Sequence, residues 1–336
     1  MPGTDVTKWG DNAMFEAAPM LKEGDLRVTP QVFLLSATPD PLGAIAAGFR
    51  MYAGKPTYKL ADITDDERRE YWQESLDTYL KAPWEFVDFH FFIEAVSRAF
   101  THQMVRQRTA VYAQESLRFA VKEGFAQEIP LPPGVMGNEN AETFWHQCMR
   151  DIEKAYNALI NLGIPAEDAR GLLPHATTTR LNYKVNLRGL LDVAEKRLCT
   201  QAQFEWRAVM LGIMKSIREY VPPLQYPQGD TFAGVESTAW QFQLIGKPIP
   251  GTFAPICYKL GRCPYMGVLD RNCTIRARVE ANNKAGRKAE DWGEPLMRRT
   301  GKLNHDHTAH EVAEIEAINP IEWMANPEAG RGRDAD

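Results

Sequence analysis

The sequence predicts a mixed α/β (α+β) fold with long helices, and three observations carry that expectation. Gln31 to Ala37 (QVFLLSA) is an apolar run of strand length, closed by Thr38-Pro39-Asp40-Pro41, and reads as a short buried strand. Thr177 to Val185 reads as a second strand. Around these lie long segments with apolar residues at helical spacing, too long for strands.

Taken in order, the first 29 residues show no sustained periodicity and are expected to form an irregular leader. A compact helix should follow β-type residues 31–37, run through Ala47 and stop at Gly48. Thr64-Asp65-Asp66-Glu67 is a helix entry signal and opens a helix to Leu80. Phe89 to Arg108 reads as a helix, and so does Asn138 to Leu162, closed near Gly163-Ile164-Pro165. Leu187 to Tyr220 reads as one long helix ended by Pro222-Pro223. After Pro227 the texture changes, so 30–227 is expected to be the catalytic domain and 228–324 a Cys-containing extension. Residues 325–336, poor in apolar side chains, are expected to be disordered.

Composition narrows the function. A hydrophobic fraction of 44% without about 18 uninterrupted apolar residues excludes membrane-spanning helices. A net charge of -5 disfavours broad adhesion to nucleic acid, though it permits a local basic pocket. The start of the chain has no basic segment followed by an apolar one, so a cytoplasmic location is expected. Five cysteines, an odd number, fit a reducing compartment better than a disulfide framework.

The chemistry concentrates in two blocks. His102 to Arg108 (HQMVRQR) leads into Gln114-Glu115-Ser116-Leu117-Arg118. On a helix, Ala99, Gln103 and Arg106 would share a face and set an amide beside a guanidinium. Ser116 and Arg118 add a hydroxyl and a second rigid fork of donors, suited to phosphate or to a pyrimidine carbonyl. Downstream, Asn186 and Arg188 precede a stripe of Arg197, Gln201 and Glu205, and Arg170 lies before Leu172-Leu173-Pro174. Each block alone could equally be a solvated face with surface pairs.

Together they carry a resemblance. Arg106-Gln107-Arg108, seven residues, then Ser116 is similar to the R-H-R, seven residues, Ser motif of the flavin-dependent thymidylate synthases. Glu94, Val96-Ser97-Arg98-Ala99, Thr101-His102-Gln103 and Gln114 resemble its surroundings. Ala169-Arg170, Leu173-Pro174, Asn186-Leu187-Arg188, Arg197 and Ala202-Gln203-Phe204-Glu205 resemble its downstream signature. The resemblance covers about residues 30 to 225 of the chain.

It implies a fold with long helices and a mixed or antiparallel sheet, and a homotetramer with active sites between subunits. Gln103, Arg106, Gln114, Ser116, Arg118, Arg170 and Arg197 would hold the nucleotide, dUMP or dCMP, with Ser116 and Arg197 nearest the chemistry. Arg106, Gln107, Arg108, Asn186, Arg188, Asp192 and Gln201 would face FAD. Methylenetetrahydrofolate and NADPH would be co-substrates, and one carbon would pass to C5 of the pyrimidine. Ser116 is expected to be a ligand donor rather than a nucleophile, since nothing nearby resembles a serine-activating base.

Several family histidines are replaced. Gln107 and Gln201 stand in two such places, Phe86 follows Glu85 where Glu-His is usual, and Leu80 lies in a segment tied to folate. Glutamine keeps hydrogen bonding but neither titrates near neutral pH nor stacks. Asp192 could accept from an amino group, as on cytosine, or face solvent. Two alternatives therefore stand beside thymidylate formation: a hydroxymethylase making a 5-hydroxymethyl nucleotide, and an inactive nucleotide- or flavin-binding homologue. In the extension, Cys257, Cys263 and Cys273, with His305, His307 or His310, could hold zinc or be ordinary thiols.

Overall fold

The computed structural model describes residues 29–199, 202–222, 238–249, 251–265, 279–280 and 284. Its centre is a four-stranded sheet in the order β1-β2-β4-β3, formed by β1 (Gln31–Ala37), β2 (Asp88–Ser97), β3 (Ala110–Gln114) and β4 (Thr178–Asn186). Every neighbouring pair is antiparallel. The expected α/β (α+β) class and antiparallel sheet are therefore observed. β1 is an edge strand and half-exposed, not buried as its apolar run suggests, because only alternate side chains turn inward.

After β1, Asp40 caps α1 (Pro41–Tyr52) by accepting from the Gly43 N–H at 3.0 Å. Leu42, Ile45, Ala46 and Phe49 form its buried stripe. The helix runs past Gly48, where a Cβ would stand 3.0 Å from that of Pro83, so this glycine allows close packing rather than ending the helix. α2 (Asp65–Asp77) has a complete capping box of Thr64 and Glu67, the entry that its sequence announces. Arg68 binds it to α1 through Asp40, with an Nη2 to Oδ2 distance of 2.6 Å.

The stretch 89–108 is not the expected single helix. Phe89, Phe91 and Ile93 alternate inward as the core face of β2. A bulge between Ile93 and Val96, with Ala95 at φ 56°, moves the inward phase to Val96. Only α3 (Arg98–Met104) is helical, capped by the Ser97 hydroxyl. The chain continues through α4 (Phe125–Glu128), the 23-residue α5 (Glu139–Asn161) and α6 (Ala166–Ala169). α5 matches the expected Asn138 to Leu162 helix, with Asn138 as its cap.

The expected helix 187–220 is two: α7 (Leu187–Arg197) and α8 (Phe204–Arg218). No Gly or Pro marks the break. It is fixed by Glu205 at the start of α8, whose buried carboxylate accepts from the Ser97 N–H and hydroxyl, both at 2.6 Å, and from Gln203 at 2.7 Å. Burial pushes the Glu205 carboxyl up, and the Ser97 hydrogen bonds oppose that shift.

Beyond residue 238, α9 (Ala239–Ile245) and α10 (Ile256–Leu260) pack onto this body. Phe242, Ile245 and Phe253 join the main core. The Gln241 side chain accepts from the Leu42 N–H at 2.8 Å and donates to Asp40 at 2.8 Å. None of the described helices is long and apolar enough to cross a membrane.

Candidate functional site

The two sequence blocks meet at the end of the sheet. α3 stops at Met104, so Arg106, Gln107 and Arg108 lie on the turn between α3 and β3 rather than on a helix face. The Tyr112 hydroxyl holds that turn from β3, 2.8 Å from the Met104 carbonyl and 3.1 Å from that of Gln107. Tyr183, opposite Tyr112 in the sheet and stacked on it at 5.5 Å, donates to Gln107 Oε1 at 2.7 Å. Gln107 Nε2 donates to the Gly189 carbonyl at 3.0 Å. Burial pushes Tyr112 up to about 12 and raises Tyr183 further, so both phenols stay protonated donors.

Asn186 caps α7, its Oδ1 accepting from the Gly189 N–H at 2.8 Å. Arg188 pairs with Glu85 at 2.5 Å on the surface. Arg106 is exposed, with its Nε 3.4 Å from the His102 carbonyl. Arg108 is exposed and makes no hydrogen bond or ion pair among the described residues. Asp192 is exposed on α7.

At the other end of α7, Arg197 lies over the Trp206 ring at 4.6 Å and reaches Gln103 Oε1 at 3.4 Å. Burial draws its proton affinity down, while the nearby Tyr265 phenol raises it. No carboxylate among the described residues pairs with it. The expected polar stripe of Arg197, Gln201 and Glu205 does not form, because α7 ends at Arg197 and Glu205 is turned into the core. Gln201 itself lies outside the described residues.

A third group follows β3. Ser116 Oγ accepts from the Arg118 N–H at 3.3 Å. Arg118 grips Glu167 with two contacts, Nε to Oε1 at 2.8 Å and Nη2 to Oε2 at 3.0 Å. That guanidinium holds the Glu167 carboxyl below its usual value. Arg170 donates to the Glu167 carbonyl at 3.0 Å, so one acidic residue gathers both arginines. Gln114 turns inward to Thr101 Oγ1 at 3.0 Å and Thr179 Oγ1 at 3.5 Å.

The expected residues thus form three groups: Gln103 with Arg197, Gln107 with Asn186 through Gly189, and Arg118 with Arg170 through Glu167. Tyr112, Tyr183, Glu85 and Glu167 are partners that sequence reasoning missed. Period-two spacing could have marked both tyrosines as inward strand residues; nothing local marks Glu167. Among the described residues no three potential metal ligands cluster, and Cys273 and the three histidines from His305 lie outside them. Cys257 is buried and Cys263 half-buried near the end of α10.

The family model described as thymidylate synthase complementing protein matches residues 33–223. A flavin-dependent thymidylate synthase of Nitratidesulfovibrio vulgaris is 35% identical over 213 residues, 59% of this chain and 86% of that protein. One from Geobacter sulfurreducens is 32% identical over 203 residues, 58% and 84% of the two chains. A Helicobacter pylori thymidylate synthase crystallised with FAD and dUMP overlaps 56% of this chain and 92% of its own, at 17% identity and a TM-score of 0.46. That overlap is too loose to add to the sequence matches, which suffice by themselves. With a family model spanning more than half of its length and relatives matched over more than four fifths of theirs, the chain belongs to the flavin-dependent thymidylate synthase family.

Proposed function

We propose that the protein binds FAD and transfers a one-carbon unit from methylenetetrahydrofolate to C5 of dUMP, with NADPH as reductant, giving dTMP. The observation that carries this reading is Arg197, a half-buried guanidinium that no carboxylate among the described residues pairs with, aligned by Gln103 and Trp206. A buried charge is costly unless it is paired, so this position suits an acceptor brought by a ligand. A pyrimidine carbonyl or a nucleotide phosphate is such an acceptor.

The donor set also fits a flavin dinucleotide. Arg106 and Arg108 present guanidinium groups to solvent, and Arg188 holds its partner on the surface, where a diphosphate can compete. When bound, the flavin supplies the carbon transfer and the reducing equivalents. The chain supplies placement: Arg197 and Gln103 orient the base, while Arg118 and Arg170 neutralise phosphate charge after Glu167 yields. Ser116 keeps its hydroxyl proton for a ligand, because its Oγ accepts from a backbone N–H and no general base among the described residues contacts it.

We further propose a homotetramer with active sites completed between subunits, acting in the cytoplasm. α8 covers one face of the sheet, and the other presents Phe33 and Val111 exposed beside Phe92. Such a face suits a second copy of the chain. Residues 30–227 would be the catalytic domain, with a leader before it and residues 228–336 as extension and tail.

The test is to incubate the enzyme with FAD, NADPH, methylenetetrahydrofolate and either dUMP or dCMP, and to weigh the products. A 5-methyl product from dUMP is expected. A 5-hydroxymethyl product from either nucleotide, without a 5-methyl one, would make the protein a hydroxymethylase. Protein that binds nucleotide and flavin without turnover would be an inactive homologue.

A further inference from the structure

We propose that Gln107, the residue standing where the family motif has histidine, is a positioning residue: it fastens the first turn of α7 to the sheet and touches no flavin itself. The inference rests on the flavoprotein reading above, but its geometry is internal to the chain. The Gly189 carbonyl can only accept, so Nε2 of Gln107 faces it at 3.0 Å, and Oε1 must then receive the Tyr183 proton at 2.7 Å. The second amide hydrogen is directed to Thr109 Oγ1 at 3.5 Å. One lone pair of Oε1 is all that remains.

The closure around Gly189 shows how little room the arrangement leaves. A Cβ there would stand 3.0 Å from Thr109 Oγ1, 3.2 Å from Asn186 Oδ1 and 3.3 Å from Gln107 Nε2. The same glycine gives its N–H to Asn186 and its carbonyl to Gln107, so the helix start is clamped from both sides. What the clamp sets is the placement of Arg106 and Arg108 on one side and Arg188 on the other. These arginines, rather than residue 107, are left with guanidinium groups facing outward.

Tyr183 makes the inference testable, since it is 1% exposed and beyond the reach of a ligand. Flavin would be titrated into the full-length wild type, Gln107→Leu, Tyr183→Phe and the double variant, following flavin fluorescence and the absorption band. Each single change should raise the Kd for FAD about 5- to 30-fold, the range of one lost hydrogen bond. The double variant should be no weaker than the weaker single one, because both cut the same link. The bound-flavin band should stay at its wild-type position. A shifted band in Gln107→Leu, or wild-type affinity in Tyr183→Phe, would overturn the proposal. Amide hydrogen exchange across the first turns of α7, measured without cofactor, should speed up in both single variants; unchanged exchange would sink the clamp even if the wild type bound no flavin. Failure of the wild type to bind FAD would instead remove the flavoprotein reading.

Discussion

Two regions of the molecule share the candidate site and are built differently. The body around the sheet joins β1 to β4 with α1, α2, α7, α8 and α9 in one large buried cluster, with aromatic rings stacked from Phe89 through Phe91 and Tyr183 to Tyr112. The lobe of α4, α5 and α6 buries Phe125, Ala126, Ile129, Met149, Tyr156 and Ala169, and its longest helix contributes two of these. Gln103, Gln107, Asn186 and Arg197 stand on the body. Arg170 stands on the lobe's edge, and Arg118 is held there by Glu167. Under the function proposed above, residues with fixed internal hydrogen bonds would serve placement, while the exposed ion pair on the small lobe would exchange with a ligand.

The largest test of this contrast is a cavity in each region. Phe91→Ala should cost about 3–5 kcal/mol and lower the main unfolding transition in denaturant. Tyr156→Ala should leave that transition almost in place while speeding proteolysis and hydrogen exchange between residues 125 and 169. Equal shifts of one shared transition would erase the distinction.

Next in size is the split between Arg197 and Arg118. Arg197→Ala should weaken dUMP binding by about 1.5–3 kcal/mol, roughly one to two decades. Arg118→Ala should cost less, about 1 kcal/mol, because that guanidinium is exposed and already occupied by Glu167. Calorimetry of both variants, with Glu167→Gln alongside, would sharpen the point: freeing Arg118 should tighten dUMP binding a few-fold. The reverse ranking would put the anchoring arginine on the lobe.

The smallest effect concerns pH and Glu205. Its folded carboxyl sits above the ordinary value, so the native state holds the proton more tightly than the unfolded chain does. Wild type should therefore gain stability relative to Glu205→Gln as pH falls from the raised folded value toward the ordinary carboxyl range. Paired thermal melts across that window would show it, and a wild-type advantage that shrinks on acidification would contradict the buried charge.

Much of this was legible in the sequence. Helix entries announced themselves where capping chemistry is local, as at Thr64 and Glu67 or Asn138. The arginine blocks were found because their spacing is a motif rather than a tendency. What escaped depends on partners distant in the chain. The β2 strand was hidden by its helix-like neighbours and by a bulge that breaks its alternation. The end of α7 is set by Glu205 meeting Ser97, 108 residues away. Glu167 is an ordinary surface residue until the fold brings Arg118 to it.

One consequence concerns where this protein can be cut. The family match ends at residue 223, which invites an expression boundary there. Such a trimmed chain would lose Phe242, Ile245 and Phe253 from the core and leave the Leu42 N–H, at the start of α1, without its acceptor. Its freshly opened greasy notch would favour inclusion bodies over soluble yield, and a protease nick before Thr238 should leave both fragments travelling together on a sizing column.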